Sequence, residues 1–323
     1  MISVEHLTKY YGDVLAVDDL SFEIEEGHIY GFLGPNGAGK STTMNIMTGC
    51  LSASSGKVLI GTHDIYEEPN EAKKLIGYLP EQPPLYPNET PTEYLRFVGA
   101  AKGLKGEKLT ESVNNVISQV RIENVKNRLI SSLSKGYKQR VGIAQALLGD
   151  PKVIILDEPT VGLDPIQILD IRALIKELGK DRTVIFSSHI LSEVQEICEK
   201  VLIISGGKLI AFDSLDTLES SLSGSGRVTV KSDITLEAAK SILSAMPQIK
   251  DFTLLSKEDN IVTLQIDATT GDTKELCKNI SMSFAKEGYA IYEISAQKTN
   301  LENVFLKLTE GTVSSGKEKE VKA

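Results

Sequence analysis

The chain reads as an α/β protein with a largely parallel sheet, followed by a smaller α+β domain, and three observations predict this. Strand-like and helix-like stretches alternate between residues 153 and 205, the rhythm of a parallel sheet with helical crossovers. VIILDEP (153–159) is a continuous apolar run, the pattern of a strand covered on both faces. Past the small-residue stretch SLSGSGR (221–227) the rhythm changes to strand, helix, two strands, helix, strand.

The elements follow in order. Residues 1–30 alternate as strands in ISVEHL, LSFEIE and HIYGFLG. The segment 91–128 is helical, with Leu95, Val98 and Ala101 at helical spacing, then Val113, Val116, Ile117 and Val120. A further helix over 137–148 is stopped by Gly149-Asp150-Pro151. A helix at 165–179, the strand TVIFSS (183–188), the helix ILSEVQEIC (190–198) and the strand VLIIS (201–205) complete the first domain, placed at 1–218. A linker is expected over 219–227.

The second domain, 228–312, begins with the strand RVTVK, the helix LEAAKSILSAM and the strands DFTLLS and NIVTLQI. The helix TKELCKNISMSFAKEG carries Leu276, Ile280 and Phe284 at intervals of four, and the strand YAIYEIS and the helix LENVFLKLT follow. That order, βαββαβ plus a helix, is the ferredoxin-like arrangement. The tail 313–323 is polar and charged and expected to be disordered.

Bulk properties narrow the function. The composition, 41% hydrophobic and 24% charged over 323 residues, is ordinary for a globular chain with room for two domains. The formal charge of −9 argues against a nucleic-acid partner, whose phosphates favour a basic surface. The three cysteines, Cys50, Cys198 and Cys277, are widely spaced, which fits neither a disulfide framework nor a zinc pattern and suits a reducing compartment. The start lacks a basic-then-apolar leader, and no apolar run approaches the roughly 20 residues that cross a bilayer. A cytoplasmic chain is expected, one that depends on another chain for any membrane span.

Between a strand and a helix stands GFLGPNGAGKST. Gly34, Pro35, Asn36, Gly37, Ala38, Gly39, Lys40 and Ser41 fit G-x-x-x-x-G-K-[ST], the phosphate-binding loop. The glycines let backbone N–H groups converge on phosphate oxygens, and the helix N-terminus adds its positive dipole end. Lys40 places a charge on the β- and γ-phosphates, the Ser41 hydroxyl can ligate Mg²⁺, and Thr42 stands with the loop residues as a candidate for nucleotide binding. Downstream, the apolar run ends in Asp157-Glu158. A carboxylate at the end of a buried strand beside such a loop suits Mg²⁺, and Glu158 suits a general base acting on water.

With LSKGYKQR (133–140) the motifs resemble, in order over residues 1 to about 218, those of the ATP-binding subunits of ABC transporters. Leu133-Ser134-Lys135-Gly136-Tyr137 is similar to that family's signature, commonly LSGGQ, with Lys135 for a glycine and Tyr137 for a glutamine. Read alone, Ser134 is a helix N-cap, and capping and phosphate binding share one geometry. The resemblance implies a P-loop ATPase fold with a helical subdomain, ATP and Mg²⁺ as ligands, and a second ATP-binding subunit. The Ser134 and Gly136 of that second subunit would close on this loop. Asp164, in VGLD, resembles the loop that communicates across the pair, and His189, in SSHILSEV, resembles the histidine that contacts the γ-phosphate.

Tyr11 resembles the aromatic that stacks on adenine, with Tyr10 the competing candidate. The family's Mg²⁺-reaching glutamine falls at Glu81 when aligned on the LYP of YLPEQPPLYP, with Gln82 one residue later, so both stand as candidates.

The function this implies is ATP hydrolysis driving transport through a separate integral-membrane permease, at the cytoplasmic side of the membrane. LENVFLKLTE after a βαββαβ extension is similar to subunits that partner ABC-2-type permeases, including gliding-motility and export types. The alternative is a soluble ABC-type mechanical ATPase acting on ribosomes or DNA. Against it stand a single cassette, no long heptad array and no basic linker. A kinase or GTPase is opposed by the signature and by the lack of N-K-x-D.

Overall fold

The computed structural model describes residues 2–222, 227–258, 260–269 and 273–297. The expected helix LENVFLKLT and the tail 313–323 lie outside the described residues. The chain divides into two compact units, the first reaching Leu215 and the second starting at Asp216.

The first unit contains two sheets. The strands β1 (Ile2–Tyr11), β2 (Val14–Ile24), β4 (Ser55–Ile60) and β5 (His63–Asp64) pair antiparallel in the order β2-β1-β4-β5. The second sheet is built from β3 (Ile29–Leu33), β6 (Ile76–Leu79), β7 (Val153–Leu156), β8 (Thr183–Ser188), β9 (Lys200–Ser205) and β10 (Lys208–Ser214). Its order is β10-β9-β3-β8-β7-β6, parallel throughout except for β10 against β9. Every residue of β3, β7 and β8 is buried, as in strands covered on both faces; in β8 this includes the hydrogen-bonded hydroxyls of Thr183, Ser187 and Ser188.

Helices α1 (Lys40–Met47), α2 (Pro69–Lys74), α6 (Pro165–Leu178) and α7 (Leu191–Ile197) follow strands of these sheets. The helical segment expected over 91–128 is two helices, α3 (Pro91–Ala101) and α4 (Gly106–Gln119), broken where Gly103 takes a φ of 91°. Both pack against α5 (Lys135–Leu147), forming a helical subdomain. The core below the phosphate loop gathers Tyr30, Phe32, Met44, Ile46, Met47, Ile155, Ile185 and Leu202.

The second unit is a four-stranded antiparallel sheet. Strands β11 (Arg227–Ser232), β12 (Ile249–Glu258), β13 (Ile261–Ala268) and β14 (Ile291–Gln297) take the order β12-β13-β11-β14. Helices α9 (Leu236–Ser244) and α10 (Thr273–Lys286) supply Leu243, Leu276, Ile280 and Phe284 to a core with Val228, Val230, Leu264 and Ile266. This is the split βαβ topology of ferredoxin-like folds. Where a linker is expected over 219–227, α8 (Leu215–Leu222) runs to Leu222 and β11 begins at Arg227; residues 223–226 lie outside the described residues.

Candidate active site

The loop between β3 and α1 is shaped by two close backbone approaches. A Cβ on Gly34 would stand 2.2 Å from the Ile204 carbonyl oxygen, so no larger residue fits. Gly39, the residue before α1, has a φ of 103°, and a Cβ there would stand 2.6 Å from the Ala16 carbonyl oxygen. The α1 N-terminus therefore opens onto a cavity of about 520 Å³. Asn36 to Thr42 line it, together with Ala16, Glu81, Glu158, Val161 and His189. Pro35 contributes its carbonyl to the loop itself: Lys40 Nζ donates to the oxygens of Gly34 (2.8 Å) and Pro35 (3.2 Å).

Lys40 is only 6% exposed and also faces Glu158 Oε1 at 3.6 Å. The other Glu158 oxygen, Oε2, lies 2.9 Å from His189 Nδ1. A cation, a carboxylate and an imidazole thus stand in a row along one wall. Glu158 adopts this place with a left-handed φ of 47°, a conformation that costs an ordinary residue about 1–2 kcal/mol. Its N–H donates to Ser187 Oγ at 2.8 Å, which anchors the turn to the neighbouring strand β8.

Asp157, 2% exposed, closes the end of β7. Its Oδ1 accepts from Ser41 Oγ (3.1 Å) and Ser187 Oγ (2.6 Å), and its N–H donates to the Leu79 carbonyl at the end of β6. Ser41 and Asp157 thus bring one hydroxyl and one carboxylate oxygen together beside the loop. Among the described residues no cluster of three or more His, Cys, Asp or Glu is placed to hold a metal. A sparse, hard-oxygen donor set of this kind fits Mg²⁺, which keeps water and substrate phosphates as its other ligands. Nearby, burial pushes the Tyr78 hydroxyl above its ordinary value, and the Asp157 carboxylate adds to the shift. Tyr78 therefore stays a neutral donor, bonded to Asn45 Oδ1 at 3.0 Å.

The two candidates for the glutamine position separate. Glu81 lines the cavity of the phosphate loop, whereas Gln82 lines a neighbouring one with Lys135, Lys138 and Gln139. Tyr11, 49% exposed at the end of β1, is not among the cavity residues; Lys9 Nζ sits 5.4 Å from its ring centroid. Ala16, which sequence reasoning missed, lines the cavity instead.

Ser134 and Gly136 are not brought to this cavity. They line a separate one of about 260 Å³ with Arg121, Tyr137, Arg140, Gln167, Asp170 and Ile171. Ser134 Oγ caps α5 by accepting from Tyr137 N at 3.4 Å. Asp164 caps α6 in the same manner, accepting from Gln167 N at 2.9 Å. Ser187, Ser188, Thr160 and Glu193, none of them foreseen as site residues, form a buried polar layer behind Asp157 and Glu158.

Residues 17–161 match the ABC transporter family. The chain is 32% identical over 314 residues to the linearmycin resistance ATP-binding protein LnrL of Bacillus subtilis, covering 97% of this chain and 99% of that protein. It is 34% identical over 321 residues to the bacitracin transport ATP-binding protein BcrA of Bacillus licheniformis, covering 96% and 98% respectively. A solved dimeric ATP-binding cassette in a post-hydrolysis state, bound to ADP and Pi, superposes with a TM-score of 0.60 at 26% identity. That match covers 67% of this chain and 99% of the cassette.

Proposed function

We propose that this chain, which belongs to the ABC transporter ATP-binding proteins, pairs with a second such subunit and drives export through a separate ABC-2-type membrane permease. The chain is the ATPase subunit of an ABC transporter. In this reading the permease holds the chain peripherally at the cytoplasmic face; among the described residues no helix is long and apolar enough to cross a membrane. Two relatives support export: one is named for linearmycin resistance, the other for bacitracin transport.

The observation that carries the mechanism is the row Lys40–Glu158–His189 beside the phosphate loop. In our reading, ATP phosphates enter over the α1 N-terminus, where loop amides and the helix dipole receive them. They offer Lys40 stronger anionic partners than the Gly34 and Pro35 carbonyls that hold it here. Ser41 and Asp157 would hold Mg²⁺, which when bound neutralises charge on the phosphates. Glu81, on the wall of the same cavity, is the better-placed of the two glutamine-position candidates.

Glu158 then takes a proton from a water whose oxygen attacks the γ-phosphorus. The bond to the β-phosphate oxygen breaks, leaving ADP and inorganic phosphate. His189, bonded to the same carboxylate, orients it and the water. Ser134 and Gly136 serve a second subunit's nucleotide, which the separation of their cavity from the phosphate loop supports, and Asp164, at the N-cap of α6, acts across the same pair. Tyr11, or Tyr10 beside it, remains the proposed stacking partner for adenine.

The test is Glu158→Gln. ATP binding is expected to persist while hydrolysis falls about 10²–10⁴-fold, the usual contribution of a general base. Turnover near wild type would remove Glu158 from its role. Captured on Mg-ATP from gently solubilised cells, the variant should bring down a multi-span membrane protein in near-equal amount. Ribosomes or DNA in its place would overturn the transporter reading.

A further inference from the structure

We propose that Glu193 is a positioning residue for hydrolysis, clamping the turn that carries Glu158 to the turn that carries His189. The inference rests on the reading of Glu158 as the base.

Glu193 lies in the first turn of α7 and is 1% exposed. A carboxylate so deeply buried is costly unless its oxygens are hydrogen-bonded. Its Oε2 accepts from two hydroxyls, Ser188 Oγ at 2.8 Å and Thr160 Oγ1 at 2.9 Å. Those hydroxyls come from the two segments that hold the reacting groups. Ser188 ends β8 just before His189, and its Oγ also accepts from Ile190 N at 3.0 Å, so the histidine sits inside a turn closed by that hydroxyl. Thr160 stands two residues past Glu158, in a turn closed by Val161 N to the Glu158 carbonyl at 3.2 Å.

A plain helix-to-helix ion pair does not account for this arrangement. Arg172, on α6, reaches Glu193 Oε1 only at 3.6 Å, while it meets Glu196 Oε2 at 2.6 Å. The short contacts of Glu193 are the two hydroxyls. Their shared oxygen fixes the spacing of two loops that meet through His189 Nδ1 and Glu158 Oε2, at 2.9 Å. Glu158 needs such support, since its left-handed backbone is a strained conformation for a residue other than glycine. Thr160 also begins the run to Asp164, with Leu163 N donating to its carbonyl at 3.2 Å. The clamp therefore ties the base, the histidine and the segment ending in Asp164 to one carboxylate.

The experiment measures kcat and KM for ATP in the full chain carrying Thr160→Val, Glu193→Ala or Glu193→Gln. Thr160→Val and Glu193→Ala should each lower kcat at least about tenfold with KM within about threefold, the split expected when only the reacting geometry is disturbed. Glu193→Gln keeps one carbonyl oxygen for both hydroxyls and should restore kcat to within about threefold of wild type. Placed in Glu158→Gln, Thr160→Val should change the residual turnover less than about twofold, because its effect passes through the missing base.

An unchanged kcat in folded Thr160→Val overturns the clamp, and so does an equal loss in both backgrounds. Thr160→Val decides the matter where Glu193→Ala fails to fold. Near-wild-type turnover by Glu158→Gln alone would instead retire the base, a result separate from either.

Discussion

At the scale of single residues, the site depends on positions where one atom more would not fit. Gly34 is the clearest, because the Cβ it lacks would meet a carbonyl oxygen of β9 at 2.2 Å and Ala38 Cβ at 3.1 Å. Backbone on that side cannot yield without moving the strand that holds it. Gly34→Ala is therefore expected to weaken ATP binding at least tenfold, about 1.4 kcal/mol or more, in a fluorescent-nucleotide titration. Unaltered affinity would show that the loop relaxes around the methyl group. Glu158 is the opposite case, an ordinary residue in a conformation that favours glycine, held there by Ser187 and by the turn through Val161.

At the scale of elements, α3 shows how a local code fixes a boundary. Thr90 Oγ1 accepts from Glu93 N, Glu93 Oε2 accepts from Thr90 N at 2.8 Å, and Pro91 occupies the first helical position. Thr90→Ala should destabilise the chain by about 1 kcal/mol in urea unfolding, leaving ATP affinity unmoved. Strands β3, β7 and β8 were legible from their apolar runs, complete in β7 and flanked by Thr183, Ser187 and Ser188 in β8, and the phosphate loop because its spacing is its geometry. The hairpin of β4 and β5, and β6 with its preceding α2, went unread: short, mixed stretches such as SGKVLI carry little periodicity, and β1, the other partner of β4, and β7, the partner of β6, lie far off in sequence. SLSGSGR signalled a linker by composition alone, yet α8 continues into it as far as Leu222. The site divided in the same manner. Lys40, Asp157 and Glu158 announce themselves in short motifs. Ser187, Thr160 and Glu193 acquire meaning only through contacts that join separate strands and helices, which no local window contains.

At the scale of the molecule, each unit has its own hydrophobic core among the described residues, and every residue lining the phosphate-loop cavity belongs to the first unit. Ligand stabilisation acts on whichever cooperative unit binds, by about 2.7 kcal/mol at a hundredfold excess over Kd. Hydrogen exchange with Mg-ATP and the Glu158→Gln chain should slow through β3, α1, β7 and β8 and stay unchanged in β11 and β13. Slowing in those two strands would reveal energetic coupling between the units. A last consequence follows from the separation of the phosphate-loop cavity from the one that holds Ser134 and Gly136. In the proposed pairing, a chain whose two halves of a reaction centre lie in separate cavities would make its chemistry depend on abundance. Diluted copies would idle, and whatever tethered two of them side by side would set the rate by raising their effective concentration. The proposed membrane partner would then serve as scaffold as well as load.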